Sequence, residues 1–194
     1  MNRREAIKKT GLALGFAATS PLLMHLIQSC DSKKPLGWKP QFFNEKQALL
    51  VAALTNQILP KTDTPGALDV GVDVFVDKMV AEVYSKKEQK QFLKGLEELE
   101  RNSESKNGKL FTDLESQEQY DFLYGLESEI QHLSFDSAPH EKPFFLMIKE
   151  LVLLGFFTSE EIMTKHLDYQ PVPSQLVGCE PMKSNQKLRV GNYF

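Results

Sequence analysis

The apolar positions of residues 41–167 recur three or four residues apart, which is the spacing of amphipathic helices. The first such stretch begins at Asn44 and ends at Pro60, because proline lacks the backbone donor that a helix interior requires. A second stretch begins near Leu68, and later ones begin near Ser85, Thr112, Pro143 and Thr158. The pattern predicts an all-α fold, with a single compact helical domain of about five to six helices over 41–167.

Four of these helix starts have the form of a capping box, in which an Asn, Ser or Thr precedes Glu or Gln by three residues. The pairs are Asn44 with Gln47, Ser85 with Glu88, Thr112 with Glu115, and Thr158 with Glu161. The helix after Ser85 is predicted to end near Arg101, before a polar surface loop over 102–109. The apolar helix after Pro143 is predicted to end at Gly155.

The segment from Val70 to Val76 is rich in β-branched residues and would also suit a strand. A helix is favoured there because the chain offers no second strand to pair with it. Asp69, Asp73 and Asp77 recur every four residues in this helix. A metal site would need converging ligands from elsewhere, and the sequence indicates none. The three carboxylates are therefore predicted to form a solvated face.

Residues 1–29 have the character of an export signal rather than of a fold element. A basic start precedes an apolar run over 11–24, as in secretory signals. The adjacent Arg3 and Arg4 resemble the twin-arginine signal, although Ala6 stands where that signal usually has an aromatic residue. A general secretory signal is the alternative. The twin-arginine route exports folded proteins, so the mature chain is expected on the periplasmic side.

Cys30 follows Leu26-Ile27-Gln28-Ser29, an order that resembles a lipoprotein cleavage box in which the cysteine becomes the lipidated first residue. Residues 30–40 are then predicted to be a lipid-attached tether, which holds the domain at the membrane without crossing it. An ordinary cysteine near a cleavage site is the alternative. Residues 168–194 contain several prolines and are predicted to form an extended C-terminal tail.

The net charge and the absence of known catalytic motifs argue against several classes of function. The chain has 23 basic and 26 acidic residues, and removal of the leader leaves 19 against 25, a net charge near −6. This acidic balance argues against nucleic acid as a partner. The sequence contains no glycine-rich phosphate loop, no covalent haem motif, no serine-nucleophile elbow and no histidine metal motif. We therefore expect no catalytic residue, metal or cofactor in this chain. An enzyme assembled from residues distant in sequence is the least supported alternative.

Cys179 is left as an odd thiol if Cys30 is lipidated, since the chain has two cysteines. An odd thiol in an oxidising compartment suggests pairing with another chain, so Cys179 is a candidate for an intersubunit disulfide. A small buried apolar residue is the alternative. The tail must lie on its own domain or on a partner, which makes four of its residues candidate partner contacts. They are Tyr169, Pro171, Pro173 and Leu176.

The order of short motifs over residues 40–180 resembles the gluconate 2-dehydrogenase subunit 3 family. The motifs are Ile58-Leu59-Pro60, Thr64-Pro65-Gly66-Ala67, Val70-Gly71-Val72, Phe75-Val76-Asp77, Phe144-Phe145-Leu146, the run from Leu151 to Glu160, Tyr169-Gln170-Pro171-Val172-Pro173 and Gly178-Cys179. The resemblance implies a small, non-catalytic subunit of a periplasmic dehydrogenase. Its large partner would be an FAD-dependent flavoprotein of the glucose–methanol–choline type, which oxidises a sugar, a polyol or a sugar acid.

The resemblance also implies a division of labour between the subunits. FAD is expected in the partner and not in this chain, and a cytochrome c subunit that takes the electrons is a further candidate partner. The small subunit would carry the twin-arginine signal for the large one and support its folding or export. Cys30 is a departure from many relatives. If it carries lipid, this subunit would also be a membrane anchor. An independent lipoprotein that acts as a binding or scaffold module is the alternative.

Overall fold

The structure of the chain is a computed structural model, and it describes residues 36–131, 142–170, 181, 184 and 186–190. Five α-helices follow one another in this part of the chain. They are α1 Glu45–Ile58, α2 Val72–Glu82, α3 Lys86–Asn107, α4 Ser116–Gln131 and α5 Phe144–Phe157. The all-α class is confirmed.

Three shorter elements complete the described fold. A 3-10 turn over Phe111–Asp113 precedes α4, and a π-helical turn over Ile162–His166 follows α5. After it, β1 (Asp168–Tyr169) pairs in parallel with β2 (Arg189–Val190). The first two residues of the predicted tail are therefore extended, and they pair with residues 21 positions further along.

Two of the four capping boxes are confirmed. The side chains of Asn44 and Gln47 bond reciprocally at the start of α1, and those of Ser85 and Glu88 do the same at the start of α3. The other two are wrong. Thr112 lies inside the 3-10 turn, and Thr158 closes α5 by donating its hydroxyl to the Leu154 carbonyl at 2.7 Å. Threonine can bond a carbonyl one turn back, which is why the pattern alone did not distinguish an end from a start.

Helix α3 does not end near Arg101, and residues 102–107 are not a loop. The helix continues to Asn107 and stops where Gly108 adopts a left-handed backbone conformation, at φ 70°. The extra turn is stabilised by Ser103, a buried residue whose hydroxyl donates to the Lys109 carbonyl at 3.0 Å. Ser103 occupies a core-facing position with a polar side chain, so the apolar spacing did not predict that the helix continues.

Helix α2 begins at Val72 rather than near Leu68, because residues 67–71 form turns that end at Gly71, with φ 72°. Helix α5 packs against α1, α2 and α3 and supplies much of the core. Gly155 is buried inside α5 and does not end it, so that prediction is wrong. A glycine is required there because the helix lies directly against Phe75 of α2.

The junction between α2 and α3 is capped by a side chain from the second helix. Gln89 is buried, and its amide donates to the carbonyls of Val80 and Ala81 at 2.8 and 3.1 Å. These carbonyls belong to the last turn of α2, where no further helical N–H groups are available to bond them. None of the described helices combines the length and apolar character that a membrane crossing requires.

Candidate partner-binding surfaces

The prediction that Asp69, Asp73 and Asp77 form a solvated face is wrong for the two that lie in α2, while Asp69, in the turn before that helix, is exposed. Asp73 and Asp77 are buried, and Asp77 is only 1% exposed. The Asp77 carboxylate accepts the backbone N–H groups of residues 41–43, at 2.7, 3.1 and 2.9 Å in chain order. A buried carboxylate without partners would be costly, and three N–H donors compensate that cost. Asp77 is therefore a structural acceptor that holds the segment before α1.

The two neighbouring aspartates have the same kind of role. Asp73 accepts the indole N–H of Trp38 at 2.8 Å. Asp69 accepts the backbone N–H of Gly66 at 2.9 Å and forms an ion pair with Lys61 at 3.2 Å. The Gly66 hydrogen bond, with the nearby Lys61, lowers the pKa of the Asp69 carboxyl. All three carboxylates are occupied by donors from this chain.

Two further titratable groups of the described residues, Tyr84 and Glu88, have shifted pKa values. No cluster of three or more His, Cys, Asp or Glu in this part of the chain could hold a metal ion. Hydrogen bonds from the hydroxyl and the backbone N–H of Ser85 lower the pKa of Glu88, its partner in the capping box of α3. Burial raises the pKa of Tyr84, and the charges of Glu88 and Glu150 add to that effect. These shifts follow from capping and packing.

Large apolar side chains are exposed on the C-terminal elements. Leu154 and Phe157 lie three residues apart on α5, which places them on one face, and each is about half exposed. Tyr169 in β1 is 46% exposed, and Leu188, just before β2, is 67% exposed. The Leu188 carbonyl accepts the N–H of Asp168 at 3.0 Å, so the two short segments lie side by side. We call Leu154, Phe157, Tyr169 and Leu188 the C-terminal surface.

Of the residues predicted from the sequence to function, the structure describes one, Tyr169, and exposes its side chain as a partner contact requires. Seven others lie outside the described residues. They are Arg3, Arg4, Cys30, Pro171, Pro173, Leu176 and Cys179.

A second apolar feature, a groove between α4 and α5, was not recognised as a surface from the sequence. Tyr120 and Tyr124 are 52% and 63% exposed, and their rings stack with centroids 6.1 Å apart and an interplanar angle of 17°. The groove beside them has a volume of about 140 Å³. Its lining is formed by Gln57, Ile58, Tyr120, Leu123, Tyr124, Glu127, Phe145 and Lys149.

The polar end of this groove is formed by an ion pair between Glu127 of α4 and Lys149 of α5. The Lys149 ammonium also lies over the ring of Phe145, 6.0 Å from its centroid. The four-residue spacing of Tyr120 and Tyr124 predicts that they share a helix face, but it does not reveal which face is buried. That information comes only from how α4 lies against α1 and α5.

An open cleft of about 350 Å³ lies where the turn before α2 meets the segment after α5. Asp69, Val70, Ser159, Glu160, Glu161, Thr164 and Lys165 line it. Two of its carboxylates are engaged in ion pairs, Asp69 with Lys61 and Glu161 with Lys165. The lining thus has three carboxylates and one ammonium, and two of the three carboxylates are paired.

These observations define a class of protein: a small helical domain whose buried aspartates accept hydrogen bonds from its own chain, and which exposes large side chains suited to protein contacts. A family model described as Gluconate 2-dehydrogenase subunit 3 matches residues 45–173, and the chain belongs to that family. It is accordingly a small accessory subunit of a dehydrogenase complex. No curated protein and no solved structure matches the chain.

Proposed function

We propose that this chain is the non-catalytic small subunit of a membrane-associated, FAD-dependent dehydrogenase of the glucose–methanol–choline type. The large subunit holds FAD and oxidises a sugar, a polyol or a sugar acid, and a cytochrome c subunit takes the electrons. The observation that carries the proposal is the family match over residues 45–173. It is supported by the carboxylates of Asp69, Asp77, Glu88 and Glu127, which are engaged in backbone contacts, capping and an ion pair.

The export role rests on the leader. Arg3 and Arg4 have the form of a twin-arginine signal, and this route carries folded cargo. A small subunit with such a signal exports a bound large subunit that has no signal of its own. Replacement of both arginines by lysine therefore blocks export of both subunits together. Normal export of the flavoprotein beside that variant contradicts this role.

The anchoring role rests on Cys30. Eight residue steps separate Cys30 from Trp38, where the compact unit begins. A chain of that length reaches at most about 29 Å when fully extended. Lipid attached to Cys30 would thus keep the domain, and the flavoprotein bound to it, on the periplasmic face of the membrane.

The contact with the large subunit is assigned to the C-terminal surface and the tail that follows it. Tyr169 is exposed on the short β pair, and Leu154 and Phe157 provide further apolar area. Aromatic side chains of this kind are enriched at protein interfaces. Pro171, Pro173 and Leu176 follow in the sequence, and Cys179 is the candidate for a disulfide with the partner.

The decisive experiment is mild detergent extraction of membranes followed by affinity capture of this chain. We expect a larger protein to be recovered with it, together with the absorbance bands of oxidised flavin that disappear when substrate is added. Absorbance in the haem region would identify the cytochrome. Recovery of the chain alone, as a stable monomer without flavin, would favour an independent lipoprotein scaffold and would refute the proposal.

A further inference from the structure

Residues 38–43, which we call the N-terminal strap, are fastened to α2 by main-chain and side-chain hydrogen bonds. The three successive backbone N–H groups at 41–43 converge on the carboxylate of Asp77, with the shortest contact at 2.7 Å. One helical turn away, Asp73 accepts the Trp38 indole N–H at 2.8 Å. A further hydrogen bond joins the side chains of Gln41 and Glu82 at 3.3 Å.

Apolar packing also holds the strap on the domain. Phe43, at the end of the strap, is buried, and its ring lies 5.7 Å from that of Phe92 in α3. Phe42 contacts Phe43 edge to face, with centroids 5.3 Å apart. The strap thus ends in the core, immediately before the Asn44 cap of α1.

The hydrogen bonds make the strap and α2 depend on each other. Asp77 is buried, so without the strap its charge would have no donors to replace the water it has lost. Without Asp77, three N–H groups of an extended segment would have no helical or sheet partner in the described structure. Bonds to a charged acceptor are stronger than neutral ones, which makes this attachment specific.

We propose that Asp73 and Asp77 form a clamp that fixes the strap on α2, and that the strap takes up this position only once α2 has folded. The clamp exists only when α2 is formed, because it needs two carboxylates one turn apart on the same helix. The position of Trp38 on the domain therefore depends on the folding of α2. This inference does not require the chain to be lipidated or exported, so it is tested separately from the proposed function.

Trp38 makes the test direct, because it is the only tryptophan of the chain. Its emission reports the strap, whereas circular dichroism at 222 nm reports the helices. We would compare the full chain with Asp77→Ala, Asp73→Ala and a matched control, Asp69→Ala. Asp69 also accepts a backbone N–H, but from Gly66 and not from the strap. Hydrogen exchange of the amides at 41–43 and chymotrypsin cleavage after Trp38 and Phe42 complete the measurements.

In Asp77→Ala we expect red-shifted Trp38 emission, loss of amide protection at 41–43 and cleavage at least about tenfold faster, while the helical signal persists. In Asp73→Ala we expect the emission shift and faster cleavage after Trp38, with the 41–43 amides still protected. Asp69→Ala should match the wild type in Trp38 emission, in amide protection at 41–43 and in cleavage rate.

Unchanged emission and protection in a folded Asp77→Ala protein would overturn the proposal. So would an equal release of the strap in the Asp69→Ala control. If Asp77→Ala does not fold, Asp73→Ala decides, because it leaves the three main-chain bonds in place. Wild-type emission and cleavage in that variant would show that the clamp does not hold Trp38.

Discussion

Gly155 of α5 lies directly against the ring of Phe75 of α2, so that a Cβ at residue 155 would be 2.6 Å from Phe75 Cδ1. The two helices can approach this closely only because the glycine has no side chain. We expect Gly155→Ala to force these helices apart and to lower the free energy of unfolding by about 1–3 kcal/mol. Urea unfolding followed by circular dichroism measures the change.

Gly125 in α4 is the matched control, because a Cβ there would have no atom within 4 Å. Gly125→Ala should raise the free energy of unfolding by about 0.5–1 kcal/mol, since alanine favours the helix and has fewer unfolded conformations. Adding Phe75→Leu to Gly155→Ala should restore part of the lost stability. An equally stable Gly155→Ala protein would contradict the packing argument.

Thr55 of α1 is fully buried, and its hydroxyl has no hydrogen-bond partner in the described part of the chain. Thr55→Val keeps the branched shape and removes the unsatisfied group. We expect the free energy of unfolding to rise by about 1–2 kcal/mol, which is the usual cost of such a buried hydroxyl. Thermal unfolding would show a higher Tm.

Thr55→Ser is the control for this change, because it retains the hydroxyl and removes a buried methyl group. It should lower the free energy of unfolding by about 1 kcal/mol. If valine and serine destabilise the protein to the same extent, the hydroxyl of Thr55 has a role in the fold that its contacts do not explain.

The exposed carboxyls of Asp69 and Glu88 make stability depend on pH in the acid range. Hydrogen bonds lower the pKa of both groups in the folded chain. Each stabilises the fold above its ordinary pKa, and that contribution is lost as the pH falls through the lowered value. Glu88→Gln should therefore unfold more readily than the wild type near pH 6, and the difference should shrink as the pH falls below the ordinary glutamate pKa of about 4.3. A difference that grows at low pH would contradict the assignment.

The C-terminal surface gives a test of the proposed partner contact. The double substitution Leu154→Ser and Phe157→Ser removes two half-exposed apolar side chains without emptying the core. We expect the affinity for the flavoprotein to fall by about tenfold or more, as for central interface residues. Tyr124→Ser, on the groove of α4, is the control and should leave the affinity unchanged. If Tyr124→Ser weakens binding and the double substitution does not, the contact with the flavoprotein lies at the groove instead.

Cys179 is expected to link this chain to its partner. A non-reducing gel of the membrane complex should show a band at the combined mass of the two chains, and Cys179→Ser should remove it. Reduction of the wild type should have the same effect. A wild-type complex that runs as separate chains without reductant would refute the disulfide.

The sequence predicted which stretches are helical because their apolar residues repeat at helical spacing, and this information is local. The sequence pattern is misleading where the same residue type suits two different structural roles. A glycine after an apolar helix predicts a helix end, but Gly155 lies inside α5, where two helices approach closely. Ser103 was assigned to a loop because it is polar, yet it lies in the core with its hydroxyl bonded.

The aspartates of α2 could not have been interpreted correctly from spacing alone. A repeat of four residues puts them on one helix face, but whether that face meets water depends on the rest of the chain. The donors to Asp77 come from residues 41–43, more than thirty positions earlier. A local pattern carries no information about a contact over that distance, and the same holds for the groove between α4 and α5.

The side chain of Gln89 couples the stability of the end of α2 to that of the start of α3. Because it bonds the Val80 and Ala81 carbonyls from within α3, any fluctuation that detaches the start of α3 also leaves the end of α2 uncapped. Native-state hydrogen exchange should then show the last turn of α2 and the first turns of α3 opening with the same free energy, as one cooperative unit. The Asp77 clamp lies on α2 as well, so we expect the amides at 41–43 to lose protection when this unit opens.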